Sequence, residues 1–83
     1  MNSFVSVVFN LFTLKQNIYV YINGACKEVV KAKMTEIDNS IYALCEKYNL
    51  NKVYLNGSKN YATKLKQKLE TKYEKNNINI IIS

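Results

Sequence analysis

The chain has 83 residues, a net charge of +6 and a hydrophobic fraction of 48%. This length suffices for one small domain, expected over residues 1–83, and the absence of proline together with the hydrophobic fraction excludes a disordered chain. Every basic residue is a lysine. Lysine suits non-specific attraction to anionic partners better than the bidentate reading of nucleic-acid bases.

The residue types also exclude several kinds of chemistry. Two cysteines, Cys26 and Cys45, cannot supply the four ligands of a zinc site, and the chain has no histidine. Without histidine, neither thiol has a base to activate it. We therefore expect no metal, no cofactor, no catalytic residues and no enzymatic activity. Both cysteines fall on predicted apolar faces, so we expect buried, reduced thiols and a cytoplasmic protein.

Residues 4–12 form the first apolar run. As a strand, this run places Val5, Val7, Phe9 and Leu11 on one face, whereas as a helix it forms an equally apolar stripe. Its β-branched and aromatic residues and its shortness favour the strand. The run is too short to span a bilayer and lacks the pattern of a signal peptide. We therefore expect no membrane partner.

Residues 17–34 predict a β-hairpin, because two alternating runs flank an Asn-Gly pair at 23–24. In a two-residue turn, Tyr21 would pair with Cys26, and both faces would mix apolar and charged side chains. In a three-residue loop with a bulge at the glycine, Tyr21 would pair with Ala25, and the two kinds of side chain would separate. The hydrophobic pattern therefore predicts the bulged loop.

The bulged register gives the hairpin two distinct faces, with Tyr19 opposite Lys27. One face joins the core and carries a single charge, Glu28, which we expect to form a salt bridge at the sheet edge. The apolar residues of this face are Ile18, Val20, Cys26, Val30 and Ala32. The other face is aromatic and basic, and it consists of Tyr19, Tyr21, Lys27, Lys31 and Lys33.

Thr35 begins the first predicted helix, because Thr35 and Asp38 have the spacing of a capping box. Apolar residues then recur at helical spacing, and Asn49 suits the left-handed position that ends a helix. The predicted buried stripe consists of Ile37, Ile41, Leu44, Cys45 and Tyr48.

Residues 52–56 predict a short strand with Val53 and Leu55 on the buried side and Tyr54 opposite. A second helix follows, capped by Ser58 or Asn60, and it ends at 76–77 before a last strand over 78–82. The inner stripe of this helix is Tyr61, Ala62, Leu65, Leu69 and Tyr73. Its outer row, predicted to face solvent, is Lys64, Lys68, Lys72 and Lys75.

The element order β-β-β-α-β-α-β predicts an α/β (α+β) fold with one mixed five-stranded sheet and both helices on one face. This order resembles the ribonuclease H-like fold, in which a three-stranded meander leads into helix, strand, helix and strand. The resemblance implies the sheet order 3-2-1-4-5. Nucleases of that fold carry metal-binding carboxylates on the first strand and at the end of the fourth. Here the first strand has no acid, and the fourth ends at Asn56.

The candidate binding surface is the aromatic and basic face of the hairpin, extended by the tyrosine of the fourth strand. Aromatic rings on an exposed sheet can stack on unpaired bases while lysines follow the phosphates. Such a patch equally marks a protein interface, unless an N-terminal helix or a second copy covers it. The candidate residues are Tyr19, Tyr21, Tyr54, Lys27, Lys31 and Lys33. A separate anion-binding site is predicted at Gly57, Ser58 and Lys59, where a helix begins.

We expect a small non-catalytic basic protein that acts by occupying a macromolecular partner, either a foreign protein or a second copy in a homodimer. The alternative is direct binding of single-stranded nucleic acid through the tyrosine and lysine face. The bias toward Asn, Lys, Ile and Tyr indicates AT-rich codons, and hence a low-GC bacterium or its phage. The chain resembles in general character the small phage proteins that act against host defence, including anti-CRISPR inhibitors. That resemblance implies a host defence complex as partner in the bacterial cytosol.

Overall fold

A computed structural model describes residues 2–73 and 77–83. The elements follow the predicted order, and residues 4–12 begin as a strand, so the helical alternative for them is wrong. The strands and helices are β1 Phe4–Val8, β2 Lys15–Ile22, β3 Ala25–Lys33, α1 Ile37–Tyr48, β4 Lys52–Asn56, α2 Lys59–Lys72 and β5 Asn79–Ile82.

The five strands form one mixed sheet in the order β3-β2-β1-β4-β5. The pairs β1–β2 and β2–β3 are antiparallel, and the pairs β1–β4 and β4–β5 are parallel. The meander therefore occupies one half of the sheet, and crossovers through α1 and α2 add the two parallel strands. The mixed α+β class and the strand order are both confirmed.

Both helices pack on the same side of the sheet, α1 against β1, β2 and β3, and α2 against β4 and β5. Alternate residues of each strand enter this layer, as their period of two requires. Most of the predicted apolar stripe of each helix is buried there, but Tyr48 and Tyr73 are only half-buried and Tyr61 is exposed. The largest fully buried apolar side chains are Val5, Val7, Ile18, Val20, Ile37, Ile41, Val53, Leu55 and Leu69.

The hairpin turn contains two residues, so the predicted three-residue loop is wrong. Tyr21 pairs with Cys26. Asn23 and Gly24 have φ angles of 52° and 84°, and positive φ at both positions is what a two-residue turn with the strand twist needs. The N-terminal segment supports this geometry, because the Gly24 N–H donates a 2.8 Å hydrogen bond to the carbonyl of Asn2.

The change of register that separates the two faces lies further along β3. Val20 pairs with Glu28 although Tyr21 pairs with Cys26, so Lys27 is an extra residue in a β-bulge. Beyond the bulge, Val30 and Ala32 lie on the core side of β3 and Lys31 and Lys33 lie on the opposite side, as the hydrophobic pattern predicts. Before the bulge, Cys26 shares the side of Tyr21 and is exposed, so its predicted burial is wrong. Cys45 is buried as predicted.

The first strand is shorter than the predicted apolar face. It ends at Val8, Phe9 is still buried, and Leu11 is exposed in the following loop. The prediction that Leu11 belongs to the core is therefore wrong. The chain turns outward after Phe9, whose N–H donates a 2.8 Å hydrogen bond to the Asn56 carbonyl as a last link to β4.

The predicted capping box at Thr35 is also wrong. The helix begins at Ile37, with Glu36 at the N-cap position and no side-chain cap. Asp38 instead lies buried between the helices, where Lys68 and Lys72 contact its carboxylate. This ion pairing, which no local pattern reveals, takes Asp38 away from the helix start.

The ends of the helices otherwise follow simple capping chemistry. Asn49 ends α1 in the left-handed conformation with φ 54°, as predicted. Ser58 is the predicted cap of α2, and its hydroxyl accepts a 3.4 Å hydrogen bond from the Tyr61 N–H. The second helix ends at Lys72, earlier than predicted, and Tyr73 is its C-cap. The predicted stop at Asn76 and the outer-row residue Lys75 lie outside the described residues.

Candidate binding interface

The side of the sheet away from the helices carries the three predicted tyrosines. Tyr19 and Tyr21 alternate with the buried residues of β2, and Tyr54 alternates with Val53 and Leu55 of β4. No element of the described chain packs over this side, which we call the open face. A strand at residues 4–8 in place of a helix leaves it uncovered.

Four aromatic rings form a continuous patch across β1, β2 and β4. The Phe4 ring stacks on Tyr21 with centroids 5.0 Å apart and meets Tyr54 edge-on, also at 5.0 Å. The Tyr19 ring lies 6.5 Å from Tyr21. Aromatic pairs in these geometries contribute about 0.5–1.5 kcal/mol each beyond area burial, so the rings hold each other in place. We call Phe4, Tyr19, Tyr21 and Tyr54 the aromatic cluster.

Sequence reasoning missed Phe4, although a signal for it was available. The alternation of residues 4–12 predicts a buried strand face that includes Val5 and Val7. The same alternation puts Phe4 on the opposite side, beside Tyr21, with which it pairs in the β1–β2 ladder. Two alternating strands with an aromatic residue on the outer side of each already indicate such a contact.

Lysines border the aromatic cluster on the β3 side. Lys33 lies opposite Lys15, and Lys31 lies opposite Asn17, so three ammonium groups share one corner of the open face. Lys15 is not among the predicted residues, because it precedes the hairpin predicted over residues 17–34, whereas β2 begins at Lys15. Lys52 of β4 lies on the same side of the sheet by alternation with Val53.

The bulge places Lys27 apart from the other predicted lysines. Tyr19 pairs with Val29, so the predicted pairing of Tyr19 with Lys27 is wrong. Lys27 lies near the hairpin turn, and Lys31 and Lys33 lie toward the other end of β3. The structure therefore brings Lys31 and Lys33 together with the tyrosines, and leaves Lys27 at the far end of the same hairpin.

Acidic side chains lie on the helix side. Every described acid belongs to α1 or its N-cap, to α2, or to the helix-facing side of β3. These residues are Glu28, Glu36, Asp38, Glu46 and Glu70. Because the open face carries lysines and none of these acids, it holds most of the net charge of +6.

Glu28 is tied to the first helix. Its carboxylate accepts hydrogen bonds from the Tyr48 hydroxyl at 2.6 Å and from the Lys47 ammonium at 2.9 Å. These two bonds lower the pKa of Glu28, and the same contacts raise the pKa of Tyr48 and of Lys47. The predicted salt bridge of Glu28 is thus confirmed, and it explains an acid among apolar neighbours.

Asp38 is explained by ion pairing as well. Lys72 donates a 3.2 Å hydrogen bond to one carboxylate oxygen, and Lys68 lies 3.6 Å from the other. Burial raises the pKa of Asp38, but the Lys72 hydrogen bond and the Lys68 charge outweigh burial and hold this pKa below its ordinary value. Among the residues that the structure describes, no three His, Cys, Asp or Glu side chains converge on a metal position.

The predicted anion site lies where α2 begins. Ser58 already caps the helix, and Lys59 is its exposed first residue. Gly57 has φ 110°, and a Cβ atom there would lie 2.8 Å from the Phe9 carbonyl oxygen. Gly57 is therefore needed for the close approach of two backbones, and anion binding at this helix start stays a prediction.

No helix in the described ranges is long and apolar enough to cross a membrane. No model of a known protein family matches the chain, and no curated protein matches its sequence. Function must therefore be inferred from the side chains of the open face.

Proposed function

We propose that this chain is a small non-catalytic binding protein that occupies an acidic surface of a protein partner with its open face. The observation that supports this proposal is the segregation of side chains across the sheet. The open face carries the aromatic cluster and four lysines but none of the described acids, whereas the lysines of the two helices lie among those acids. The four lysines are Lys15, Lys31, Lys33 and Lys52. A preformed aromatic centre with a charged rim has the composition of a protein interface.

The charge of the open face also bears on which protein is the partner. In a homodimer formed through this face, the lysines of the two copies would approach each other, and their like charges would repel. These lysines are Lys15, Lys31 and Lys33. A foreign partner with an acidic patch removes that cost. We therefore favour a foreign protein over a second copy.

The identity of the fold and the setting of the protein belong to the same proposal. The element order and the order β3-β2-β1-β4-β5 support a ribonuclease H-like fold. The small size, lysine-rich surface and AT-rich residue usage support a phage-encoded inhibitor that acts in the bacterial cytoplasm on a host defence nucleoprotein, in the manner of anti-CRISPR proteins.

Single-stranded nucleic acid is the second candidate partner, and the row of rings beside the lysines favours it. Tyr19 and Tyr21 project from one strand, with Lys31 and Lys33 on the neighbouring strand. Bases could stack on the rings while the phosphates meet the ammonium groups. Because such binding releases counterions, its affinity falls steeply as salt increases.

Affinity capture from a low-GC bacterial lysate, with and without nuclease treatment, separates the two candidates. We expect a protein that is retained after nuclease treatment by the native chain and lost by Tyr21→Ala or Lys31→Glu. Lys64→Glu is the matched control, because it changes the net charge equally on the helix side. Retention by Lys31→Glu and loss by Lys64→Glu would contradict a role for the open face.

Direct titration with single-stranded oligonucleotides at two salt concentrations tests the second candidate. Binding that weakens steeply with salt, and that Tyr21→Ala reduces, would support nucleic acid as the partner. Absent binding, or binding insensitive to salt, would remove it.

A further inference from the structure

The loop between β1 and β2 projects three apolar side chains into solvent. Phe12 is 98% exposed, Leu14 is 89% exposed and Leu11 is 63% exposed, more than any other large apolar residue described. We call residues 11–14 the apolar tip. Side chains of this kind are normally buried, and a group of them on one protruding loop marks a contact surface.

The loop that carries the apolar tip is held by a buried glutamine. Gln16 is 3% exposed, and its side chain accepts a 2.6 Å hydrogen bond from the Asn10 N–H and donates one of 2.9 Å to the Asn10 carbonyl. The Asn10 side chain in turn accepts a 3.0 Å hydrogen bond from the Phe12 N–H. Because the backbone is fixed before any contact is made, little conformational entropy is lost when the tip binds.

Lysines surround the base of the apolar tip. Lys15 directly follows Leu14 and lies opposite Lys33. Lys31 lines the depression between the loop and the open face, together with Leu14 and Lys15. At this edge the described acid is Glu36, whose N–H bonds the Lys33 carbonyl. The tip therefore combines apolar side chains at its apex with an excess of positive charge at its base.

We propose that the apolar tip inserts into the surface of a lipid bilayer that contains anionic lipid. The headgroup boundary accepts apolar side chains to a shallow depth, and its phosphates attract the Lys15 and Lys33 ammonium groups. A second copy of the chain would place these lysines against like charges, and a nucleic acid offers no apolar depth for Leu11 and Leu14. This proposal departs from the expectation of no membrane partner, which considered only whether residues 4–12 could span a bilayer. A loop that enters only the headgroup region needs no spanning segment.

A single fluorescent reporter tests insertion directly, because the chain has no tryptophan. We expect Phe12→Trp to shift its emission to the blue with vesicles of phosphatidylcholine and phosphatidylglycerol, and to be quenched by brominated acyl chains. Pure phosphatidylcholine vesicles should give neither effect. Val29→Trp is the control, because Val29 is exposed on the open face four residues from Lys33. Equal quenching of both reporters, or of neither, would overturn the proposal.

Vesicle sedimentation with three further variants separates the contribution of the apolar side chains to binding from that of the lysines. Because Phe12 is almost fully exposed, Phe12→Ser should fold normally by circular dichroism and bind anionic vesicles about 10–100-fold more weakly. Lys15→Glu should weaken binding about tenfold, and Lys64→Glu, with the same charge change on α2, much less.

Three further results would also overturn the inference. The first is that folded Phe12→Ser binds anionic vesicles as tightly as the native chain does. The second is that Lys15→Glu and Lys64→Glu weaken vesicle binding equally. The third is that the native chain is a dimer without vesicles and that Phe12→Ser converts it to a monomer. The last would show that the tip joins two copies. None of these results depends on the protein partner proposed for the open face.

Discussion

Lys72 donates a 3.2 Å hydrogen bond to Asp38, a carboxylate that is 1% exposed where α1 meets α2. Lys68, one turn earlier in α2, lies 3.6 Å from the second carboxylate oxygen. The hydrogen bond to Asp38 raises the pKa of Lys72. One buried acid thus joins the two helices that form the layer on the sheet.

We expect Asp38→Asn to lower the free energy of unfolding at neutral pH by roughly 1–3 kcal/mol, because a charged hydrogen-bond partner is lost. The pKa of Asp38 in the folded chain lies below its ordinary value of 3.8. Its carboxylate therefore stabilises the fold above pH 3.8, and this contribution is lost as pH falls through the lower folded value.

Urea denaturation at neutral pH and at a series of pH values below 3.8 measures how much stability the Asp38 carboxylate contributes. The native chain should lose more stability on acidification than Asp38→Asn does. Glu46→Gln, which removes an exposed acid from the same helix, is the control. The same pH dependence in the native chain and Asp38→Asn would contradict this account.

Two glycines with positive φ allow a matched comparison. A Cβ atom at Gly57 would lie 2.8 Å from the Phe9 carbonyl oxygen, whereas at Gly24 the nearest atom is 3.9 Å away. We expect Gly57→Ala to cost roughly 1–3 kcal/mol of stability, because two backbones must separate in a conformation unfavourable for alanine. Gly24→Ala should cost about 1 kcal/mol from its left-handed conformation. An equal or larger loss for Gly24→Ala in urea denaturation would contradict the contact at Gly57.

The two thiols should differ sharply in reactivity. Cys26 is exposed, whereas burial raises the pKa of Cys45 to about 11. At pH 8 the native chain should therefore react with a disulfide reagent such as DTNB at one thiol quickly, and at the second only after unfolding. Cys26→Ser should abolish the fast reaction. Two fast thiols in the native chain would show that Cys45 is accessible.

Contact within the aromatic cluster can be measured by a double-mutant cycle. We expect Phe4→Leu and Tyr21→Leu to show a coupling energy of about 0.5–1.5 kcal/mol in unfolding free energy, because their rings stack. The cycle of Phe4→Leu with Tyr19→Leu is the control, since Tyr19 contacts Tyr21 instead. Coupling that is no larger with Tyr21 than with Tyr19 would argue against a preformed stack.

Most of the fold could be predicted because local patterns and tertiary packing agree along most of the chain. The strand Lys52–Asn56 has the predicted bounds, since Val53 and Leu55 alternate with Tyr54 and enter the core together. Asn49 ends α1 for the reason that its residue type indicates. The type and order of the elements follow from such patterns, whereas the start of α1 and the end of β1 depend on tertiary contacts and were predicted wrongly.

The hairpin shows what happens when two patterns compete. The Asn-Gly pair favours a two-residue turn, and the apolar alternation requires an extra residue in β3. The prediction placed that residue in the turn at Gly24, but the structure satisfies both patterns by placing it at Lys27. Because β3 is an edge strand, a bulge there disturbs the ladder to only one neighbour.

The candidate site was predicted in part for a similar reason. Alternation alone identifies Tyr19, Tyr21 and Tyr54 on the open face. The exposed tip at residues 11–14 was not anticipated, because Leu11 continues the apolar alternation of β1 beyond the strand end. The hydrogen bonds of Gln16 that turn the loop outward are tertiary contacts, and spacing does not indicate them.

The distribution of lysines and acids across the sheet makes the molecule an electric dipole that points from the helices toward the open face. Near an anionic surface, the resulting torque turns that face forward before any atoms touch. This steering extends over about a Debye length, roughly 8 Å at physiological ionic strength. Encounters should therefore be productive in one orientation, and added salt should slow association more than it speeds release.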